Sequence, residues 1–207
     1  VNLQDFVGAA EPSRLTINNW VADQTQQKIK DLIPAGGVSP MTRVVLTNAI
    51  WFKSDWAQPF TKEATKNQDF TDRKGSVKNL PFMNLTSNFP YVQGKGYQAV
   101  ELPYIDNKLA MLLVVPDAGK FDSFMQGLNS ATVSDITTGL KDNYIALSLP
   151  KFNFSASPAM NSSLSSLGMG AAFDGAKADF SGISGNRELS ISGVVHKAFI
   201  NVDEKGT

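Results

Sequence analysis

Residues 189–207 constrain this chain more than any other stretch. From residue 189 to residue 202 apolar side chains first alternate and then thicken into the run Ala198, Phe199, Ile200 and Val202. A strand apolar on both faces needs cover on each, so this pattern predicts a strand inside a sheet. It runs directly into Glu204, Lys205, Gly206 and Thr207. Glycine opens backbone angles that other residues resist. A strand patterned this well and followed by a flexible glycine is expected to continue in a segment beyond residue 207.

A second buried strand is predicted over residues 43–52, a nearly continuous β-branched and aromatic run. Shorter strands are predicted at 77–83, 89–92 and 97–104. The last is turned by Asp106 and Asn107 into 108–115 as an antiparallel hairpin. Two more are expected at 144–149 and 151–154, separated by Pro150. A helix begins at Glu11, Pro12 and Ser13, with proline favoured in a first turn, and carries Leu15, Ile17, Trp20 and Val21 on one face. Weaker helical periodicity covers 120–140, and a short helix at 158–168 closes on Gly168. Helices mixed with antiparallel strands make the fold class α+β.

The chain has 207 residues, 42% of them hydrophobic, so a core can form. Nineteen basic residues balance nineteen acidic ones, which argues against a dedicated surface for nucleic acid or for an anionic membrane. The longest apolar run, 109–115, is strand length and far short of the roughly 20 residues that span a bilayer. No cysteine is present, which excludes disulfides and thiolate metal sites. No metal-ligand spacing, nucleophile elbow or cofactor motif occurs, so neither a metal nor a cofactor is expected. The single histidine, His196, lies in the predicted final strand without a serine and carboxylate near it in sequence, and reads as structural rather than catalytic. An enzyme is therefore not expected.

Six ordered motifs resemble the serpins, the serine protease inhibitor family. They are Ile17-Asn-Asn-Trp-Val21 through Lys28-Ile29; Leu46-Thr-Asn-Ala-Ile-Trp-Phe-Lys53 with Trp56 and Pro59-Phe60; Leu102-Pro-Tyr104; Leu147-Ser-Leu-Pro-Lys-Phe152; Ala178-Asp-Phe-Ser-Gly-Ile-Ser184; and Val195-His-Lys-Ala-Phe199. The resemblance implies a serpin fold: a large, mainly antiparallel central sheet with smaller sheets and surrounding helices. It implies that residues 1–207 are one partial domain, lacking the N-terminal helices, the reactive loop and the C-terminal strands. The remaining serpin segments would then be partners of this chain.

Its functional implications are equally specific. Glu204, Lys205, Gly206 and Thr207 would be the hinge of the reactive loop. Asn48 and His196 would form the shutter, where the imidazole either bonds across to Asn48 or is satisfied by local backbone. Trp56, Lys151 and Glu204 would meet at the breach, with Lys151 and Glu204 either paired or separately solvated. Small, β-branched Thr207 favours an inhibitor. The implied activity is irreversible, suicide-substrate inhibition of a serine, or else a cysteine, protease by loop cleavage and insertion between strands 43–52 and 189–202. The alternatives are a non-inhibitory serpin with a carrier, storage or chaperone role, and an unrelated α+β enzyme with a hydrophobic cleft. A secreted location follows the family's majority behaviour alone. Gln27 and Ser54 depart from the family's usual glycines; the helix exit is expected to differ at Gln27, and both read as loop changes away from the inhibitory machinery.

Overall fold

The computed structural model describes all residues, Val1–Thr207, and they fall into two compact units. One comprises residues 52–153 with 200–207, the other residues 1–51 with 154–199.

The first unit is built on β2 (Val77–Gly94), an 18-residue strand that serves three partners in turn. Its start pairs with β1 (Lys66–Thr71), its middle with β5 (Lys141–Pro150) and its end with β3 (Tyr97–Pro103), all antiparallel. β4 (Ala110–Pro116) adds to the far edge of β3. The sequence reads β2 as two short strands, 77–83 and 89–92, with the polar stretch 84–88 as a turn between them. Pairing with β5 from Phe82 to Tyr91 joins them instead. Strand β1, rich in polar residues, gave no apolar signal and is defined by its ladder with β2.

The β3–β4 turn has Asp106 and Asn107 both left-handed, at φ 69° and 53°. Short polar side chains tolerate that region best. The predicted helical stretch resolves into α2 (Phe121–Gly127) and α3 (Ser130–Gly139). Asn129 separates them, its side chain capping α3 by accepting from the Thr132 N–H at 3.0 Å. The core of this unit gathers Trp56, Phe60, Met83, Phe89, Val100, Leu102, Tyr104, Leu149 and Val202. Met83 and Leu149 face each other in register across β2 and β5.

The second unit contains α1 (Ala10–Gln24), whose first turn carries Glu11, a favourable charge at a helix N-terminus. Its buried face differs from the expected one. Leu15 and Trp20 are both more than 40% exposed, and the helix buries Arg14, Asn18, Val21 and Ala22. Ile33 explains this. The Asn18 side chain donates to the Ile33 carbonyl and accepts from the Ile33 N–H, both at 2.9 Å, and Arg14 Nη1 donates to the same carbonyl at 2.7 Å. Two polar side chains thus fasten the returning segment onto the helix.

The helix exit keeps the left-handed geometry that a glycine would suit, contrary to expectation: Gln26 and Gln27 stand at φ 49° and 62°. The Gln27 N–H donates to the Ala22 carbonyl at 2.7 Å, closing the end as a glycine cap does.

Residues 43–51 do not form a strand, although the sequence predicts one, because no ladder partner pairs with them. Leu46 and Ile50 are largely exposed. The final strand is likewise shorter than expected. β7 (Ala198–Val202) pairs with β6 (Phe152–Ala156) in a two-stranded sheet, and residues 189–197 carry only an isolated bridge between Val195 and Ala159. Apolar content marks a segment for burial, but a strand also requires hydrogen-bonding neighbours. Short helices α4 (Met160–Leu164), α5 (Gly170–Phe173) and α6 (Ser181–Ser184) complete this unit. No helix is long and apolar enough to cross a membrane.

Candidate functional site: the hinge cluster

In the first unit, residues 54–57 run between two other segments and bond to both. On one side the Ser54 N–H donates to the Thr207 carbonyl at 3.1 Å, the Thr207 N–H returns to the Ser54 carbonyl at 3.0 Å, and the Trp56 N–H donates to the Lys205 carbonyl at 2.7 Å. On the other side the Ala57 N–H donates to Pro103 and the Ile105 N–H to Asp55, both at 2.9 Å. Residues 204–207, the predicted hinge, are therefore held by backbone bonds along a fixed register. Ser54 is a backbone partner of Thr207, so its departure from glycine lies against the hinge and not away from it.

Gly206 sits opposite Asp55 in this bridge. A Cβ there would lie 2.8 Å from the Asp55 Cα and 2.9 Å from the Ser54 carbonyl carbon, and would run into the Ser54 oxygen. The sequence suggests conformational freedom at this glycine. The structure shows close backbone approach instead, since Gly206 does not adopt a positive φ.

The predicted cluster of Trp56, Lys151 and Glu204 is brought together. Glu204 is 6% exposed and takes both of its carboxylate oxygens to Lys151 Nζ, at 2.7 and 3.0 Å. Thr65 Oγ1 donates to the same carboxylate at 2.9 Å. The Lys151 hydrogen bonds, opposed by burial and supported by Thr65, hold the Glu204 carboxyl down at about 2. Lys151 itself is fixed at its backbone, its N–H donating to Pro81 of β2 at 2.9 Å. Trp56 is 3% exposed and meets the segment on the atoms flanking Glu204: its indole N–H donates to the Asp203 carbonyl at 3.0 Å and its backbone N–H to Lys205. The Phe60 N–H takes the Glu204 carbonyl itself at 3.0 Å. Lys205 points into solvent.

Asn48 and His196 are not brought together. Both are exposed, and neither side chain makes a hydrogen bond. Both sit in segments without a ladder, so nothing aligns the amide with the imidazole.

Three residues of the cluster carried no functional expectation. Thr65 lies just past a short helical turn, with nothing in the sequence to mark it. Asp203 closes the hinge locally, its carboxylate accepting from the Lys205 N–H at 2.8 Å. Tyr104 stacks on Trp56 at 4.8 Å between centroids and 11° between planes, meets Phe52 edge-on at 5.0 Å, and donates its hydroxyl to Thr207 Oγ1 at 2.9 Å. Its place in Leu102-Pro-Tyr104 was the available signal, because a tyrosine ending a strand of otherwise buried residues needs a partner for its hydroxyl. No group of acidic, histidine or cysteine side chains is placed to hold a metal ion.

The chain resembles known proteins over nearly its whole length. The chain is 40% identical to an uncharacterized serpin-like protein of Thermococcus kodakarensis, over 98% of this chain and 46% of that one. It is 38% identical to the leukocyte elastase inhibitor of Homo sapiens, over 98% of this chain and 56% of that protein. The solved structure of ovalbumin from emu superposes with a TM-score of 0.93 at 29% identity, over 98% of this chain and 54% of that one. The chain thus spans about half the length of the relatives it matches. With the serpin (serine protease inhibitor) family profile matching residues 1–207 throughout, the chain belongs to the serpin family.

Proposed function

We propose that this chain is the hinge-bearing part of an irreversible protease inhibitor, directed at a serine protease in the first instance. The target protease attacks a reactive loop that follows Thr207 and is acylated at its own nucleophile. Cleavage frees the loop, which inserts between residues 43–52 and 189–202 and carries the protease with it. A new central strand gains ladder bonds on both edges. A dozen such bonds at about 0.5–1.5 kcal/mol net each release on the order of 10 kcal/mol. The chemistry is the protease's, and this chain contributes the hinge and the two receiving segments.

The observation that carries this reading is the unladdered state of residues 43–51 and of most of 189–197. Both are patterned for burial in a sheet, and neither is part of a strand ladder. The small side chain of Thr207 fits a hinge that must become part of that sheet. The relationship to leukocyte elastase inhibitors supports the inhibitory branch of the family. In the same reading, Asn48 and His196 act as the shutter in the state where their two segments lie side by side.

The test is to mix the intact protein with a panel of serine and cysteine proteases and run denaturing gels with intact-mass analysis. A denaturant-stable band at the summed mass is expected. Clean cleavage beyond Thr207 with no such band would overturn inhibition in favour of a carrier, storage or chaperone role.

A further inference from the structure

Two residues of the proposed hinge are held by their side chains as well as by backbone bonds: Glu204, by Lys151 and Thr65, and Thr207 at its end. Thr207 is tied by its side chain, through the hydroxyl of Tyr104 at 2.9 Å. Tyr104 is itself immobilised. Its ring lies flat on Trp56 and edge-on to Phe52, and the residue is 4% exposed. Its backbone N–H donates to the Leu109 carbonyl at 2.9 Å, across the turn that joins β3 to β4. A phenol fixed at ring and backbone aims its hydroxyl at one point, and that point is the Thr207 side chain.

We propose that the Tyr104 hydroxyl is a latch on the hinge: it positions Thr207 in the closed state and sets how readily the hinge opens. The role deepens the inhibitor reading and rests on it for its consequence, since Thr207 must leave this contact before the loop can enter the sheet. Burial raises the Tyr104 phenol above its ordinary range, more than the Thr207 bond lowers it. The hydroxyl therefore keeps its proton and donates throughout the neutral range. Tyr104 is a positioning residue and touches no reacting atom.

The latch is removable without disturbing the packing. Tyr104→Phe deletes one oxygen and keeps both ring contacts, and Thr207→Val deletes the acceptor at nearly constant shape. Amide hydrogen exchange of the intact protein reads the outcome at Ser54 and Thr207, whose N–H groups bond each other's carbonyls. Each single variant is expected to speed exchange at these two amides about 3- to 10-fold, the worth of one net hydrogen bond. The β2 and β5 amides should not change. The double variant should exchange no faster than either single one, because both remove the same bond. Unchanged exchange in the single variants, effects that multiply in the double variant, or an equal rise throughout β2 and β5 would each overturn the latch. The inhibitor reading is scored separately, on gels of the same preparations mixed with serine proteases. No covalent band with the unaltered protein overturns inhibition and leaves the latch resting on the exchange data. A covalent band together with unchanged exchange in Tyr104→Phe overturns the latch alone.

Discussion

At the scale of single residues, Gly206 and Glu204 are the most constrained positions of the proposed hinge, for opposite reasons. Gly206 is needed for what it lacks. Its Cα faces Asp55 so closely that any side chain meets the Ser54–Asp55 backbone. Relief would require parting the paired bonds between Ser54 and Thr207. Gly206→Ala is therefore expected to lower unfolding stability by about 1–3 kcal/mol, the usual penalty for overpacking. A shift of the denaturant midpoint to lower concentration, at constant m-value, is the readout. Glu204 is needed for its charge. Its carboxyl sits at about 2, against an ordinary 4.5. A depressed carboxyl stabilises the fold fully above its unfolded value and loses that contribution as the pH falls towards its folded value. The Glu204 contribution should thus be complete above about pH 4.5 and fade as the pH approaches 2. Glu204→Gln should cost about 1–3 kcal/mol at pH 7, less than for a fully buried pair because Lys151 is 35% exposed. Paired denaturation curves from pH 7 to pH 2 check this: the gap between the two proteins should close below pH 4.5, and a gap that stayed constant would refute the assignment.

At the scale of elements, α1 and its return segment show what a sequence pattern carries and what it omits. The helix itself was legible from Pro12 and the spacing of apolar residues. Its buried face was not, because Arg14 and Asn18 are buried by bonds to one distant peptide, and hydrophobicity contains no record of such a bond. Asn18→Leu leaves the Ile33 N–H without its partner, while Arg14 still serves the carbonyl. The expected loss is about 1–3 kcal/mol, the cost of one unsatisfied buried group, read as a lower melting temperature. The opposite sign is expected just beyond the helix. Gln27 holds φ 62° with a side chain that makes only an exposed bond to Asp23. Gln27→Gly should stabilise by about 0.5–1 kcal/mol, by relieving a left-handed residue. The site follows the same division. Lys151 and Trp56 lie in ordered motifs and Glu204 in the predicted hinge, and the structure places Lys151 and Glu204 2.7 Å apart as an ion pair. Tyr104 and Thr65 were missed because each reaches a segment far along the chain through a single hydrogen bond, and Asp203 because its one side-chain bond to the Lys205 N–H is a local turn contact that composition does not mark. The strand predicted at 43–52 was read from side chains that suit a sheet, while its state depends on neighbours that side chains do not encode.

At the scale of the whole molecule, the contrast between finished and unfinished ladders decides what the chain can still do. β2 has a ladder partner at every residue, β1 over 77–82, β5 over 82–91 and β3 over 91–94. Residues 43–51 have apolar side chains such as Leu46 and Ile50 in solvent and no strand beside them. Residues 189–197 also lack a ladder, and are held by a bridge at Val195 and by the Ile191 and Val194 N–H groups donating to the Ala172 carbonyl and to Asn161 Oδ1. In the proposed function these two sheet-patterned segments are where free energy would be released, because pairing them would form bonds and bury apolar surface at once. If loop insertion is the event that releases it, amide exchange should show where. Before cleavage, amides in 43–51 and 189–197 should exchange fast, and those of β2 and β5 slowly. After a protease cuts the loop beyond Thr207, protection in 43–51 and 189–197 should rise by about 100-fold or more, consistent with a ladder that opens only with a few kcal/mol. β2 and β5, already paired with each other from residue 82 to residue 91 of β2, should not change. Protection that rose uniformly would indicate general tightening, and protection that did not rise in either segment would mean that the loop, once cut, does not enter there.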